Sequence, residues 1–211
     1  MVDSLREARV GVVREAVLTP ERILDAVSEQ LERTGIAGLR LRDVADRLHV
    51  SVPSLYRFFD DREAMIAAAY VRDFARQTFS DLDELTEIFA SATSRLDYEA
   101  GLRRLVSDVF GDEQQRRRWR RLAAMAATRH DPELRAKIAA VQEQFTARVA
   151  QLYELVRSKG WVTDTVSPFA FAVAVQGLAM GSLFADVAPA AGVTSEEFSD
   201  VFVLFTRGMI A

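Results

Sequence analysis

The residues best placed to do chemistry lie in the run LHVSVPSLYRFF, residues 48–59. Ser51 and Ser54 offer hydroxyls, Tyr56 a phenol, Arg57 a guanidinium and Pro53 a rigid apolar ring. Leu55 and Phe59, four apart, form an apolar edge that anchors a short helix predicted over 52–58. Val52, Pro53, Ser54, Tyr56 and Arg57 are not needed for that edge, so they form a second face. Backbone N–H groups at a helix start attract phosphate oxygens. A proline in the first turn removes no intrahelical bond. The Pro53 ring can press on a thymine methyl, an apolar contact of the major groove. The Tyr56 hydroxyl can reach a phosphate. Arg42, just upstream, can form a two-pronged pair with guanine. These residue types describe a face that docks on double-stranded DNA.

Two helices must hold that face. Leu41, Val44, Ala45 and Leu48 recur at i, i+3, i+4 and i+7 and make one apolar stripe. Ala45 is small and lets a second helix cross closely. His49-Val50 breaks the stripe, and Ser51 is placed to cap the next helix through its hydroxyl. The pattern is a helix-turn-helix. Helix-start signals recur elsewhere. Thr19-Pro20, Asp131-Pro132 and Ser167-Pro168 pair an N-cap residue with proline at the first helical position. Asp60 with Glu63, and Thr194 with Glu197, have capping-box spacing. Gly35 and Gly160 mark helix stops. The predicted helices are 20–34, 41–48, 52–58, 61–79, 82–93, 98–110, 113–128, 132–159, 168–187 and 195–210. No stretch alternates with period two over a strand's length, so the expected class is all-α. The short early helices read as a small module, 19–65, ahead of a larger helical bundle, 66–211. Residues 1–18 read as an arm or a short amphipathic helix through Leu5, Val12, Val13 and Val17.

The string LRDVADRLHVSVPSLYRFF resembles the TetR family of transcriptional regulators. Ala45, Val50, Ser51, Leu55, Tyr56 and Phe59 match the family's pattern, Arg62 keeps the charge of its lysine, and TPERILDAVSEQLERTGIAGLRLRDVA resembles its first helix and connection. The resemblance covers about residues 19–70. It implies base or groove contacts at Arg42, Val52, Pro53 and Tyr56, and phosphate contacts at Ser51, Ser54, Tyr56 and Arg62. It also implies a homodimer made by the last two long helices, and a small-molecule effector held in the larger module. The departures are His49 for glycine in the turn, Arg40 for a capping threonine or serine, and Phe58 for histidine. Histidine tolerates the left-handed region that such a turn needs better than most residues do. Phe58 is assigned no polar contact.

The chain has 211 residues, no cysteine and two histidines, His49 and His130. Disulfides and thiolate metal sites are therefore excluded, and two histidines are a poor inventory for a zinc site or a histidine-based catalytic centre. His130 precedes Asp131-Pro132 at a helix end and reads as solvated or capping, with ligand contact as the alternative. No Glu-x-x-His pair, glycine-rich phosphate loop or Ser/His/Asp set is visible, so no enzyme, cofactor or metal is expected. The net charge of −4 weighs little, because DNA responds to the field of one face. The N-terminal run MVDSLREARVGVVREAVL is cut by charge and does not read as a signal peptide. The apolar run 168–193 is interrupted by Gln176 and Asp186 and reads as a buried soluble helix rather than a membrane span. A cytoplasmic location follows.

In RRRWRR, 116–121, the arginines are expected to face solvent, with Trp119, Leu122 and Met125 inward. Gly177 and Gly181, four apart, suit a close helix crossing within or between subunits. The expected dimer residues are Gly177, Gly181, Phe184, Phe198, Phe202 and Phe205. Candidate effector-lining residues are Phe110, Trp119, Met125, Phe145, Tyr153, Phe171, Gln176 and Met180, together with Phe74. Gln176 is the polar member: it must find a partner if buried. The alternative is a helical small-molecule or lipid-binding protein that binds no specific DNA.

Overall fold

Side chains that the sequence marks fix most helix starts. In the computed structural model, which describes residues 17–107, 110–188 and 192–207, Thr19 Oγ1 accepts from Arg22 N–H at 3.4 Å and opens α1, Pro20–Gly38. Asp131 Oδ1 accepts from Leu134 N–H at 2.8 Å and opens α7, Pro132–Ser158. Ser167 caps α8, Pro168–Gly181. Thr194 and Glu197 exchange both bonds of a capping box at α10, Ser195–Arg207. The described residues are all-α, completed by α2, Leu41–Leu48, α3, Val52–Leu55, α4, Arg62–Ser91, α5, Arg95–Leu105, α6, Asp112–Ala127, and the short α9, Leu183–Val187.

Several boundaries differ from expectation. Asp61, not Asp60, caps α4, accepting from Ala64 N–H at 2.6 Å. The break expected between 79 and 82 is absent. Phe74, Thr78, Ile88 and Phe89 continue one buried face through it, and that packing keeps α4 a single helix. The helix expected at 98 starts at 95, on a Ser94–Asp97 capping box that the sequence reading missed. The segment expected as one helix, 168–187, breaks at Ser182, whose buried hydroxyl donates to Ala179 O. Gly35 has φ 66° and kinks the end of α1, and Gly160, φ 71°, ends α7. The pattern at 4–17 falls outside the described residues, except for Val17.

The chain forms two compact units, Met1–Met65 and Ile66–Ala211. In the first, Ile23, Val27, Leu39, Val44, Ala45, Leu55 and Met65 are buried. In the second, Phe89, Tyr98, Leu102, Tyr153, Phe171 and Phe202 belong to the largest cluster of buried side chains.

Candidate nucleic-acid interface and effector pocket

The turn between α2 and α3 rests on His49. Its backbone lies at φ 56°, ψ 41°, in the left-handed region. His49 N–H donates to Asp46 O at 3.1 Å, and Val50 N–H donates to Ala45 O at 3.0 Å. This pairing is a Schellman motif with histidine in the glycine position. It ends α2 sharply and lets Leu55 bury beside Val44 and Ala45. A Gln30 amide bond to Asp43 Oδ2, 2.9 Å, ties α1 to α2.

With Leu55 inside, Arg42, Ser51, Pro53, Tyr56 and Arg57 are exposed, and Val52 and Ser54 are partly so. Two expectations need correction. Ser51 does not cap α3 with its hydroxyl; that oxygen lies 2.9 Å from Ser54 Oγ instead. The helix expected over 52–58 is regular only over Val52–Leu55, and residues 56–58 continue as a turn. So short a helix has little macrodipole, and the phosphate argument then falls on hydroxyls and guanidiniums.

Arg62 sits differently from a bare phosphate anchor. Its Nη2 donates to Ile36 O at 2.6 Å and Leu39 O at 3.4 Å, and its Nη1 to Glu63. It therefore ties the start of α4 to the carbonyls at the end of α1, adding a second donor to Ile36 O, which already accepts from Leu39 N–H at 3.3 Å.

In the second unit a cavity of about 540 Å³ is lined by residues of α4 to α8 and α10. Of the expected lining residues, Met125, Phe145, Phe171, Gln176 and Met180 are there. Four others are placed differently. Phe110 packs edge-on against Phe198, centroids 5.6 Å apart. Tyr153 is buried, donates to Thr163 O at 2.8 Å and stacks on Phe171. Phe74 belongs to a separate cluster with Ala124, Leu134 and Ile138. Trp119 is 43% exposed.

That exposure reverses the expected orientation of α6. Trp119 and Leu122 are exposed rather than turned into a core, and Arg117, Arg118 and Arg121 line the cavity beside Met125. Arg118 forms a two-pronged pair with Asp186, Nε–Oδ2 2.9 Å and Nη2–Oδ1 2.6 Å, with side chains only 9% and 3% exposed. Arg121 donates to Thr78 Oγ1 at 3.2 Å and lies over the rings of Phe74 and Phe145. Charged groups hold the inward positions because one wall of a cavity, not a packed core, faces them.

Gln176 lines the cavity, but its amide is engaged within it. Its Nε2 donates to Ala172 O at 2.8 Å and Thr146 Oγ1 at 3.3 Å, and its Oε1 accepts from Gln142. The apolar run 168–187 has the length and composition of a membrane span. Its two polar interruptions nevertheless face protein partners, Gln142 and Arg118.

The expected dimer residues divide. Phe202 is buried in the chain's own core, and Phe198 is partly buried against it. Among the described residues Gly177 and Gly181 make no close crossing, since nothing lies within 4 Å of where a Cβ would stand. Phe184 is 81% exposed, and Phe205 is also exposed. Phe169, Val173, Val187, Val201 and Leu204, not named from the sequence, are exposed on the same three helices.

The geometry of the first unit is that of a helix-turn-helix module, and comparison narrows the class. Residues 23–69 match the model of the bacterial regulatory proteins of the tetR family, and they place the N-terminal unit in that family. The HTH-type transcriptional repressor KstR of Mycobacterium tuberculosis is 35% identical over 75 residues, 32% of this chain and 34% of that protein. The match thus spans about a third of the curated relative. A Mesorhizobium loti protein described as a TetR-family transcriptional regulator has a TM-score of 0.71 at 16% identity, covering 90% of this chain and 95% of its own. A Saccharomonospora viridis transcriptional regulator in complex with choline has a TM-score of 0.69 at 16% identity, covering 88% and 94%. At these identities the structural likeness shows the fold.

Proposed function

We propose that the chain is a ligand-responsive repressor of transcription, cytoplasmic, that binds a near-palindromic DNA operator as a homodimer. The carrying observation is the His49 turn. It buries Val44, Ala45 and Leu55 and leaves Arg42 and the 51–57 face exposed. In this reading Arg42, Val52, Pro53 and Tyr56 meet base edges. Ser51, Ser54, Tyr56 and Arg57 meet phosphates, and Arg62 adds its charge while latching the α1 end. The repressor sense is supported by the relative that carries that description. A two-fold dimer reads half-sites about one helical turn apart, ~34–36 Å or somewhat more.

Support for the dimer comes from the apolar side chains exposed along α8 to α10, with Gly177 and Gly181 open among them. An unpartnered patch of that kind marks an interaction surface. Support for an effector comes from the cavity, whose volume falls within the usual range for ligand sites, ~300–1,000 Å³. An effector releases DNA only if it binds the non-binding conformation more tightly.

Selection of sites from random double-stranded DNA by the full chain, with sedimentation of the complex, tests this reading. The expected result is an inverted-repeat consensus bound by two protomers. No enriched sequence would overturn it and favour a small-molecule-binding protein with an idle hairpin.

A further inference from the structure

Resting on the effector reading above, we propose that the cavity takes a neutral, mostly apolar carbonyl compound, a ketone or an ester, and that the Tyr98 hydroxyl donates a hydrogen bond to its carbonyl oxygen. Tyr98 stands on α5, lines the cavity and is 1% exposed. A phenol taken out of water finds a hydrogen-bond partner as a rule, because its polar tip otherwise loses the bonds that water gave it. Tyr153, in the same cluster, follows the rule: its hydroxyl donates to Thr163 O at 2.8 Å. The Tyr98 hydroxyl makes no hydrogen bond among the described residues. Its ring stands edge-to-face with Phe89, centroids 5.2 Å apart, and lies 6.3 Å from Trp161. Gly101, three residues further along α5, packs so closely on Ile88 of α4 that a Cβ would collide with it. Ring and helix are thus both held, and the hydroxyl stays at the cavity wall.

Other hydrogen-bonding side chains of the wall are engaged. Thr206 donates to Val203 O at 2.8 Å, Thr146 to Gln142 O at 2.9 Å and Gln176 to Ala172 O at 2.8 Å. Arg118 is matched by Asp186, Arg117 pairs with Glu113, and Arg121 donates to Thr78. Gln77, Glu84 and Gln114 also line the cavity, but each is exposed or half-buried and reaches solvent. The missing complement is an acceptor at Tyr98. Burial, then the neighbouring Tyr153 and Glu99, raise the Tyr98 pKa, so the phenol stays protonated and serves as a donor. Glu99, next in the chain, is itself buried and pairs with Arg95. A carboxylate ligand would lose its hydration here and stand near that fixed negative charge. A quaternary ammonium brings no acceptor. An alcohol accepts from Tyr98 but leaves its own hydrogen among Phe89, Leu102, Phe171 and Phe202, which share the cluster and the wall and offer it nothing. A carbonyl oxygen accepts and has no hydrogen to place.

The test titrates the full chain with 2-decanone, 2-decanol, decanoate and decyltrimethylammonium, each below its solubility or micelle limit, by calorimetry. 2-Decanone is expected to bind about five- to tenfold tighter than each of the others, the worth of one hydrogen bond. Tyr98→Phe keeps the ring and removes the hydroxyl. It should weaken 2-decanone by about the same factor and leave decanoate and decyltrimethylammonium unchanged. Without ligand, Tyr98→Phe should melt no lower than the wild type, because the hydroxyl it loses bonds nothing in the fold. A lower melting temperature would give that hydroxyl a partner in the fold and overturn the proposal. If 2-decanol or either ion binds as tightly as the ketone, the carbonyl assignment is overturned while the pocket reading stands. If Tyr98→Phe lowers all four alike, or leaves 2-decanone unchanged, Tyr98 only supports the wall and the assignment fails. If none of the four binds, the pocket reading falls too, while site selection on DNA still judges the regulator.

Discussion

The Arg118–Asp186 pair offers a quantitative check on how the second unit is held together. It joins α6 to the five-residue α9, 68 residues away in sequence, through two parallel hydrogen bonds. Both side chains are nearly out of water. Removing one partner of such a pair leaves a buried charge without its counter-ion, which typically costs ~3–5 kcal/mol. Asp186→Ala should therefore lower unfolding stability by about that amount. Replacing both residues, Arg118→Leu with Asp186→Leu, removes the desolvated charges together and should be near neutral or more stable by ~1–4 kcal/mol. Equilibrium urea unfolding at one protomer concentration reads both values, since assembly makes stability concentration-dependent. A double variant about as unstable as the sum of its single variants would show that the pair is not coupled. An Asp186→Ala loss within ~0.5 kcal/mol, the range of ordinary surface substitutions, would show that water reaches Arg118.

Arg42→Ala should cost about 1–3 kcal/mol in operator binding and relax preference at one base pair per half-site, read by competition with single-base variants. Equal loss on every sequence would reduce Arg42 to a phosphate contact. Arg62→Ala should lower the stability of the N-terminal unit by ~1–2 kcal/mol, discounted because the guanidinium is about a third exposed. Arg62→Lys should not restore this fully, since a lysine cannot hold the Ile36 and Leu39 carbonyls and Glu63 from two fixed nitrogens as Nη2 and Nη1 do. A changed salt dependence of DNA binding with unchanged stability would make Arg62 a phosphate anchor instead. His49→Gly should stabilise the unit by ~0.5–1 kcal/mol in urea, because glycine carries no Cβ penalty at φ 56°. A loss would mean that the imidazole makes a contact worth more than that strain. Hydrogen bonds from the side chains of Thr93 and then Ser94 hold the Asp97 carboxyl below its usual range. A lowered folded pKa gives stability that is present above the unfolded value, ~3.9, and lost as pH falls through the folded one. The gap in melting temperature between the wild type and Asp97→Asn should thus shrink below about pH 4; a gap constant from pH 3 to 6 would contradict it.

The features legible in the sequence were local ones. Thr19, Asp131 and Ser167 cap helices because a short oxygen side chain before Pro or a free N–H acts within one turn. The Thr194–Glu197 box works for the same reason. The α2 stripe and the His49 turn also lie within a few residues of one another, so spacing alone put Val44, Ala45 and Leu55 among the buried residues. The α4 helix was misread because its continuity is decided elsewhere. The partners of Thr78 and of the Phe89–Tyr98 edge pair lie on other helices, and tertiary packing overrode the polar Ser80-Asp81 step.

The reversal at α6 has a different origin, and it bears on function. Position 118 and positions 121 and 125 share a helix face, as do 119 and 122. Periodicity therefore separates the two sets without saying which is inside. Hydrophobicity supplies the usual tie-break, and it put Trp119 and Leu122 inward. That rule assumes that the inner face meets a packed core. Here it meets a cavity, with Asp186 and Thr78 waiting for two of the three arginines. Asp186 had been read only as an interruption of an apolar run, because its partner is far away in the chain. A sequence in which a charge interrupts an apolar helix, while tryptophan sits among arginines on another, carries two anomalies. The structure makes them one: the charge in the first helix neutralises an arginine of the second, and that arginine faces a pocket. Buried charge of this kind is retained against its desolvation cost where a site needs it. On that ground the α6 arginines, together with Tyr98 and more than the aromatic residues chosen first, are where effector specificity should be sought.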